Sequence, residues 1–369
     1  MCALQPTISR SRSSDRAGSF RRVPDDLEAE LNAIATQAAF SGVVRVEGPD
    51  RPLLERAYGL ADRRHGIPNE VRTRFGIASG TKSLTALTVV SLIEDGLVEL
   101  SRTARSLLGD ELPLIADDVT IEHLLSHRSG IGDYLDEESE LDFDGYLMPV
   151  PVQELATTEQ YLPILGGYPT KFAAGERFGY CNSGFVVLAL IAERVSGVPF
   201  PELVLERVCE PAGMVDTAFL RSDELPGSAA IGYLEVDGAW RTNVFHLPVR
   251  GTGDGGLYTT VADVSALWNA FFSGRIVSLD WVAEIVRTRS DVPAESEGGA
   301  RRYGLGFWLH ASTDAVTMSG GDTGVSFRSV HDPRSSVTHT VMSNTSDGAW
   351  PITRYLDEQI GTGRAVGEV

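Results

Sequence analysis

At 369 residues the chain is too long for one small core and suits one large α/β unit with an insertion, or two domains. Its formal net charge of -19 argues against nucleic acid or an anionic membrane surface as a partner, since both call for clustered positive charge. The three cysteines, Cys2, Cys181 and Cys209, form neither a disulfide framework nor a metal-ligand spacing, and no apolar run approaches the ~20 residues that span a bilayer.

Residues 1–24 are rich in Ser and Arg and lack an apolar core, so they read as a disordered tail on a cytoplasmic protein rather than as a signal peptide. Asp25 and Asp26 stand where they would cap a helix over Leu27–Phe40, with Leu27, Leu31, Ile34 and Ala38 on one face. Two strands, Ser41–Gly48 and Leu53–Gly59, follow around a Gly48-Pro49-Asp50 turn. A helix from about Gly80 to Asp95 is apolar nearly all round, the pattern of a buried central helix, with Gly96 as its C-terminal cap.

From Leu107 to Phe245 helical segments alternate with polar loops; Ile121–Ser126, Gly184–Val195 and Pro201–Glu210 are helical, and the acidic run Asp133–Asp144 reads as an exposed loop. Strand patterns return over Tyr303–His310, Ala315–Met318, Val325–His331 and Val337–Met342, before a terminal helix over Trp350–Ile360. The expected fold is α+β: an antiparallel sheet flanked by helices, built from residues 25–106 and 246–365, with a mostly helical domain over 107–245 inserted between them.

Lys82 and Lys171 are the chain's two lysines; every other cationic side chain is arginine or histidine. Lys82 stands three residues after Ser79, in Phe75-Gly-Ile-Ala-Ser79-Gly-Thr-Lys82. Arginine cannot give up its proton near neutral pH, whereas a buried lysine can shift its pKa and serve as a base. Ser79 would project at the N-terminus of the buried helix with Lys82 on the same face one turn on, which makes an activated nucleophile with its base in reach. A helix-capping serine beside a surface lysine is the alternative.

Tyr180-Cys181-Asn182 lies in a loop before an apolar helix, so that a phenol able to relay a proton and an amide able to grip a carbonyl or the lysine can face one cleft. A packed aromatic in an ordinary turn is the competing reading.

Together these stretches resemble the serine β-lactamase and penicillin-binding-protein superfamily, in particular the branch with class C β-lactamases, esterases, D-aminopeptidases and D,D-peptidases. The likeness runs from about residue 27 to 360. It includes His123-Leu-Leu-Ser-His-Arg-Ser-Gly130, Gly175–Asn182, Pro211–Thr217, Gly255–Asp263 and Tyr303–Phe307.

The resemblance implies a serine hydrolase acting through an acyl-enzyme on a small-molecule ester, amide or β-lactam, of carboxylesterase, β-lactamase or D-aminopeptidase type, with no cofactor and no metal. Ser79 would be acylated, Lys82 would lower its pKa, Tyr180 would share proton transfer, and Asn182 would bind the substrate.

The family's third motif, Lys-Thr-Gly or His-x-Gly, falls on Met318-Ser319-Gly320-Gly321. By that alignment Ser319, Gly320 and Gly321 border the substrate, and the backbone amides of Ser79 and Gly321 form the oxyanion hole. Methionine stands where a cation is usual and cannot hold a substrate carboxylate. This favours an esterase or D-peptidase-like hydrolase over an efficient β-lactamase, with Ser319 or Arg328 as possible substitutes. The same departure motivates the alternative of a non-catalytic sensor or binding module.

Gly251-Thr-Gly253-Asp-Gly-Gly256 matches a dinucleotide fingerprint but follows no βαβ strand, so the resemblance makes it a loop at the site's border. His123 and His127 read as packing rather than as metal ligands, Cys181 as a small buried residue, and Lys171 as a surface lysine.

Overall fold

A computed structural model describes residues 26–137, 145–293 and 301–360. The expected tail over 1–24, the capping Asp25, most of the acidic run and residues 361–365 of the expected sheet domain lie outside the described residues.

Among the described residues eight strands form one antiparallel sheet. They are β1 (Gly42–Glu47), β2 (Pro52–Tyr58), β3 (Ser290–Val292), β4 (Arg301–Tyr303), β5 (Trp308–His310), β6 (Val316–Asp322), β7 (Val325–Asp332) and β8 (Val337–Ser343). Their spatial order is β2-β1-β8-β7-β6-β5-β4-β3. The first and last strands of the chain's course thus lie side by side, one strand in from the β2 edge: β1 pairs with β8 through Val43↔Met342 and Val44↔Val341.

Strand alternation sorts the side chains into two cores. Val44, Val46 and Val341 face α1 (Leu27–Gln37), where Leu27 and Leu31 pack with Ile352 and Leu356 of the C-terminal helix Ala349–Ile360. Val43, Met318, Phe327 and Met342 face the other way, into the main core. That core is centred on α2 (Thr81–Glu94) and continues past α3 (Ile121–Leu125) to α4 (Asn182–Ser196) and α5 (Val261–Phe272). The helix Ala349–Ile360 completes the numbering as α6.

α2 and α4 are buried on nearly every side, as their uniform apolarity requires. The segment expected as one helix over Pro201–Glu210 is broken into helix over Phe200–Val204, a π-turn over Leu205–Cys209, and Glu210–Ala212. Among the described residues no single helix is long and apolar enough to cross a membrane.

Candidate active site

The chain enters the site along a short strand, Phe75–Gly76, paired with Tyr258–Thr259. It then tightens into a 3-10 turn, Ala78–Gly80, that runs directly into α2. The turn is held by Thr81, whose hydroxyl donates to the Ala78 carbonyl at 2.8 Å and accepts from Leu257 N–H at 3.2 Å. Ala78 adopts a φ of 43°, a left-handed backbone that costs an alanine energy and persists only where its surroundings enforce it. The residue it presents is Ser79, which is half-buried at the head of α2.

Lys82, one turn on, is only 2% exposed. Its Nζ lies 2.8 Å from Ser79 Oγ, 2.7 Å from Asn182 Oδ1 and 2.7 Å from the Asp254 carbonyl oxygen. The last two are acceptors only, so a neutral amine spends its two N–H bonds on them and turns its lone pair toward the Ser79 hydroxyl. Burial draws the Lys82 pKa below the usual lysine value, against the pull of Asp254, Glu137, Asp133 and Asp322.

Tyr180 lies above this pair. Its phenol is in polar contact with the Ser79 side chain, and Lys82 Nζ is 5.0 Å from the centre of its ring. Burial lifts the phenol pKa well above its ordinary value, so the group is a neutral O–H that can pass a proton on but is not a standing phenolate. The ring is stacked on Trp308 at 6.0 Å and tilted against His127 at 4.3 Å.

His127 is buried, and its Nδ1 accepts the Cys181 N–H at 3.1 Å, which fixes the turn between Tyr180 and Asn182. Burial, and secondarily the charge of Lys82, hold its pKa well below the ordinary histidine value, so the ring is neutral.

Asn182 opens α4. Its Nδ2 donates to the Leu135 carbonyl at 2.8 Å and to Glu137 Oε1 at 3.1 Å. Asp133 accepts the first amides of the helix, Asn182 N–H at 2.7 Å and Ser183 N–H at 2.9 Å. The expectation of an exposed acidic loop therefore fails at its start. Asp133 is buried because the orphan N–H groups of an apolar helix need an acceptor, and no residue of the helix's own first turn supplies it.

Lys171 is likewise not a free surface lysine. It is half-buried and pairs with Asp136 at 2.6 Å. His123 serves as the reciprocal partner of a Thr120 capping box on α3. Cys181 Sγ is buried against the Ile131 and Gly132 carbonyls, and burial raises its thiol pKa well above the usual value, which leaves the thiol inert.

β6 forms the opposite wall. A Cβ on Gly320 would lie 2.1 Å from the Ile77 carbonyl oxygen and 2.7 Å from Ser79 N, so only glycine lets the strand close on the Ser79 backbone. Gly321, next along, faces the other side of the sheet, where a Cβ would meet Trp350 at 3.3 Å. Ser319 alternates to that same side, opposite Arg328, whose guanidinium pairs with Asp357 of α6 at 3.0 Å. Arg328 therefore does not supply the cleft with the missing cation. Met318 is buried in the main core rather than in the cleft.

The Gly251–Gly256 loop threads between α2 and α4. Gly253 packs against the Phe185 carbonyl and accepts from the Thr85 hydroxyl at 2.6 Å, and Asp254 then gives its carbonyl to Lys82. Residue-type reasoning missed this contact, because a backbone carbonyl carries no side-chain signature; the dense glycines were the available signal. Among the described residues no three His, Cys, Asp or Glu side chains group as ligands for a metal ion.

The chain belongs to the β-lactamase family, whose profile matches residues 25–361. A crystal structure of a penicillin-binding protein from Bacillus halodurans superposes with a TM-score of 0.81 at 34% identity, covering 89% of this chain and 99% of that one. Esterase EstB of Burkholderia gladioli is 33% identical over 218 residues, 56% of this chain and 55% of the esterase. A D-aminopeptidase of Cereibacter sphaeroides is 28% identical over 304 residues, 80% of this chain and 53% of the peptidase. The chain thus spans about half the length of these two relatives. The family and the α+β fold read from the sequence both hold.

Proposed function

We propose that this chain is a serine hydrolase that works through an acyl-enzyme on Ser79. The observation that carries the reading is the three-way setting of Lys82 between Ser79, Asn182 and the Asp254 carbonyl. The neutral amine takes the Ser79 proton as Oγ attacks the substrate carbonyl. The negative charge moves to the carbonyl oxygen, where the amides of Ser79 and Gly321 receive it. The tetrahedral adduct collapses, and the leaving group departs with the proton returned from Lys82 through the Tyr180 phenol. Water then attacks the acyl carbon along the same relay in reverse. A positioned acid–base group contributes ~10²–10⁴-fold, and each oxyanion donor about 10²–10³-fold.

The substrate is an ester or amide in preference to a β-lactam. With Met318 in the core and Arg328 paired to Asp357, neither offers the cation that a lactam's carboxylate needs. Names among the relatives, an esterase and a D-aminopeptidase, support this choice. Gly320 and the backbone of Gly321 border the bound substrate with Asn182, Ser319 being turned to the far side of β6, and Asn182 engages the substrate carbonyl by displacing Glu137.

The test is Ser79→Ala. Hydrolysis of p-nitrophenyl acetate is expected to fall at least 10³-fold, and intact-mass spectrometry with a fluorophosphonate should show one adduct on the parent and none on the variant. A parent-like rate in Ser79→Ala overturns the assignment.

A further inference from the structure

A pocket opens beside Ala78, between the Gly251–Gly256 loop and the end of β6. Tyr134, Leu247, Val249, Tyr258 and Val325 give it largely apolar walls. Ser79, Lys82 and Tyr180 are not part of its lining. A leaving group must face the proton relay, so the part of a substrate that enters this pocket is the acyl part.

Two carboxyl groups, Asp254 and Asp322, belong to the lining, and none of the described lining residues is Lys, Arg or His. The two acids are not equivalent. Asp254 accepts the Tyr134 hydroxyl on its side chain and a Lys82 N–H on its carbonyl, so both ends are committed. Asp322 accepts the Thr323 N–H on Oδ1 at 2.8 Å; among the described residues Oδ2 has no hydrogen-bond donor and no cation pairs with it. Burial pushes this carboxyl up to about 7. Asp322 is half-buried, and a carboxylate partly withdrawn from water without a charged partner is stabilised by a bound cation.

The placement along β6 fits a substrate. Gly320 packs on the amide of Ser79, and Asp322 stands two residues on, about 7 Å farther along the strand at ~3.3 Å per residue. β5 pairs with β6 only at Val316 and Thr317, which leaves the edge from Met318 to Asp322 open to a ligand.

From these observations we propose that the acyl pocket selects an acyl group bearing a protonated amine, with Asp322 as its counter-charge. The proposal rests on the acyl-enzyme reading of Ser79. The ammonium donates to Asp322 Oδ2 while the apolar walls take the rest of the acyl chain. An acyl group bearing a carboxylate meets two acids and no cation, and is turned away.

Methyl esters of alanine and propionic acid differ in that amine alone. At neutral pH the alanine-to-propionate ratio of kcat/KM is expected above 10, and Asp322→Asn should lower the ratio about 10–100-fold, the usual span for losing a hydrogen bond to a charged group. Asp322→Glu, which restores the charge, should recover part of the ratio. Calorimetric binding of alaninamide to the Ser79→Ala protein, with and without Asp322→Asn, reads the same contact without turnover. A parent ratio at or below one, or a ratio that Asp322→Asn leaves unchanged, overturns the proposal while the acyl-enzyme reading stands. If neither ester is hydrolysed but alaninamide binds and Asp322→Asn abolishes that binding, the amine site stands and the acyl-enzyme reading falls. No turnover and no binding sinks both.

Discussion

Lys82 and Asn182, one hundred positions apart, meet with Nζ 2.7 Å from Oδ1. That contact ties the head of α2 to the head of α4 and holds Nζ 2.8 Å from Ser79 Oγ. Its electrostatics can be tested by charge. Burial lowers the Lys82 pKa, and the neutral amine is the active form, so kcat/KM rises with pH through that pKa. Asn182→Asp places a carboxylate on the amine and holds its proton. The acid limb of the kcat/KM profile for p-nitrophenyl acetate should therefore move to higher pH by one unit or more. Lys82→Arg, which stays protonated, should cost ~10²–10⁴-fold at every pH.

Removing only the phenolic oxygen of Tyr180 separates proton relay from packing. Tyr180→Phe keeps the ring between His127 and Trp308. The expected result is a kcat lower by about 10²-fold or more with Tm nearly unchanged. A loss of activity that tracks a large fall in Tm would assign the residue to packing instead.

Gly320 is where β6 meets the backbone of Ser79. Gly320→Ala drives a Cβ into the Ile77 carbonyl and the Ser79 amide, neither of which can yield as a flexible side chain can. Overpacking against backbone costs typically 1–3 kcal/mol. A lower denaturation midpoint together with loss of turnover is expected. Gly321→Ala, whose Cβ would meet the ring of Trp350, should be milder.

The Asp322 carboxyl also sets a pH dependence of stability. Its folded pKa, about 7, lies above the 3.8 of an aspartate in an unfolded chain, so between these values the folded state holds more protons than the unfolded one. Its contribution is complete below about 3.8 and is lost as pH rises through about 7. Asp322→Asn removes that loss. The variant should therefore gain on the parent in Tm by about 2–4 °C between pH 5 and 8, read by calorimetry across that range. A constant difference across the range would place the carboxyl's titration elsewhere.

The pairs legible in the sequence were those fixed by local spacing. Ser79 and Lys82 are joined by one helical turn, and Tyr180 and Asn182 by one tight loop. The sheet was legible from the β-branched residues of Val43–Val46 and Val337–Met342, and its assembly from both ends of the chain followed from where those strands fell. What the sequence hid was tertiary. Asp133 looks solvated in an acidic run until α4 is seen to need an acceptor 49 positions away. The Asp254 carbonyl, a backbone group, has no residue type to betray it. His127 reads as packing, and packing is what it does, but on the far side of Tyr180. Lys171 gains its partner Asp136 from a loop 35 residues upstream.

The pairing of β1 with β8 and the seating of Gly320 on the Ser79 amide have a temporal meaning. As the polypeptide leaves the ribosome, Ser79 precedes the strand that shapes its surroundings by some 240 residues, and the pairing of β1 with β8 closes later still. A growing or prematurely terminated product ending before Val316 carries Ser79 and Lys82 without the wall that orients them. The site is thereby left unformed until the strands from Val316 to Ser343 have been made.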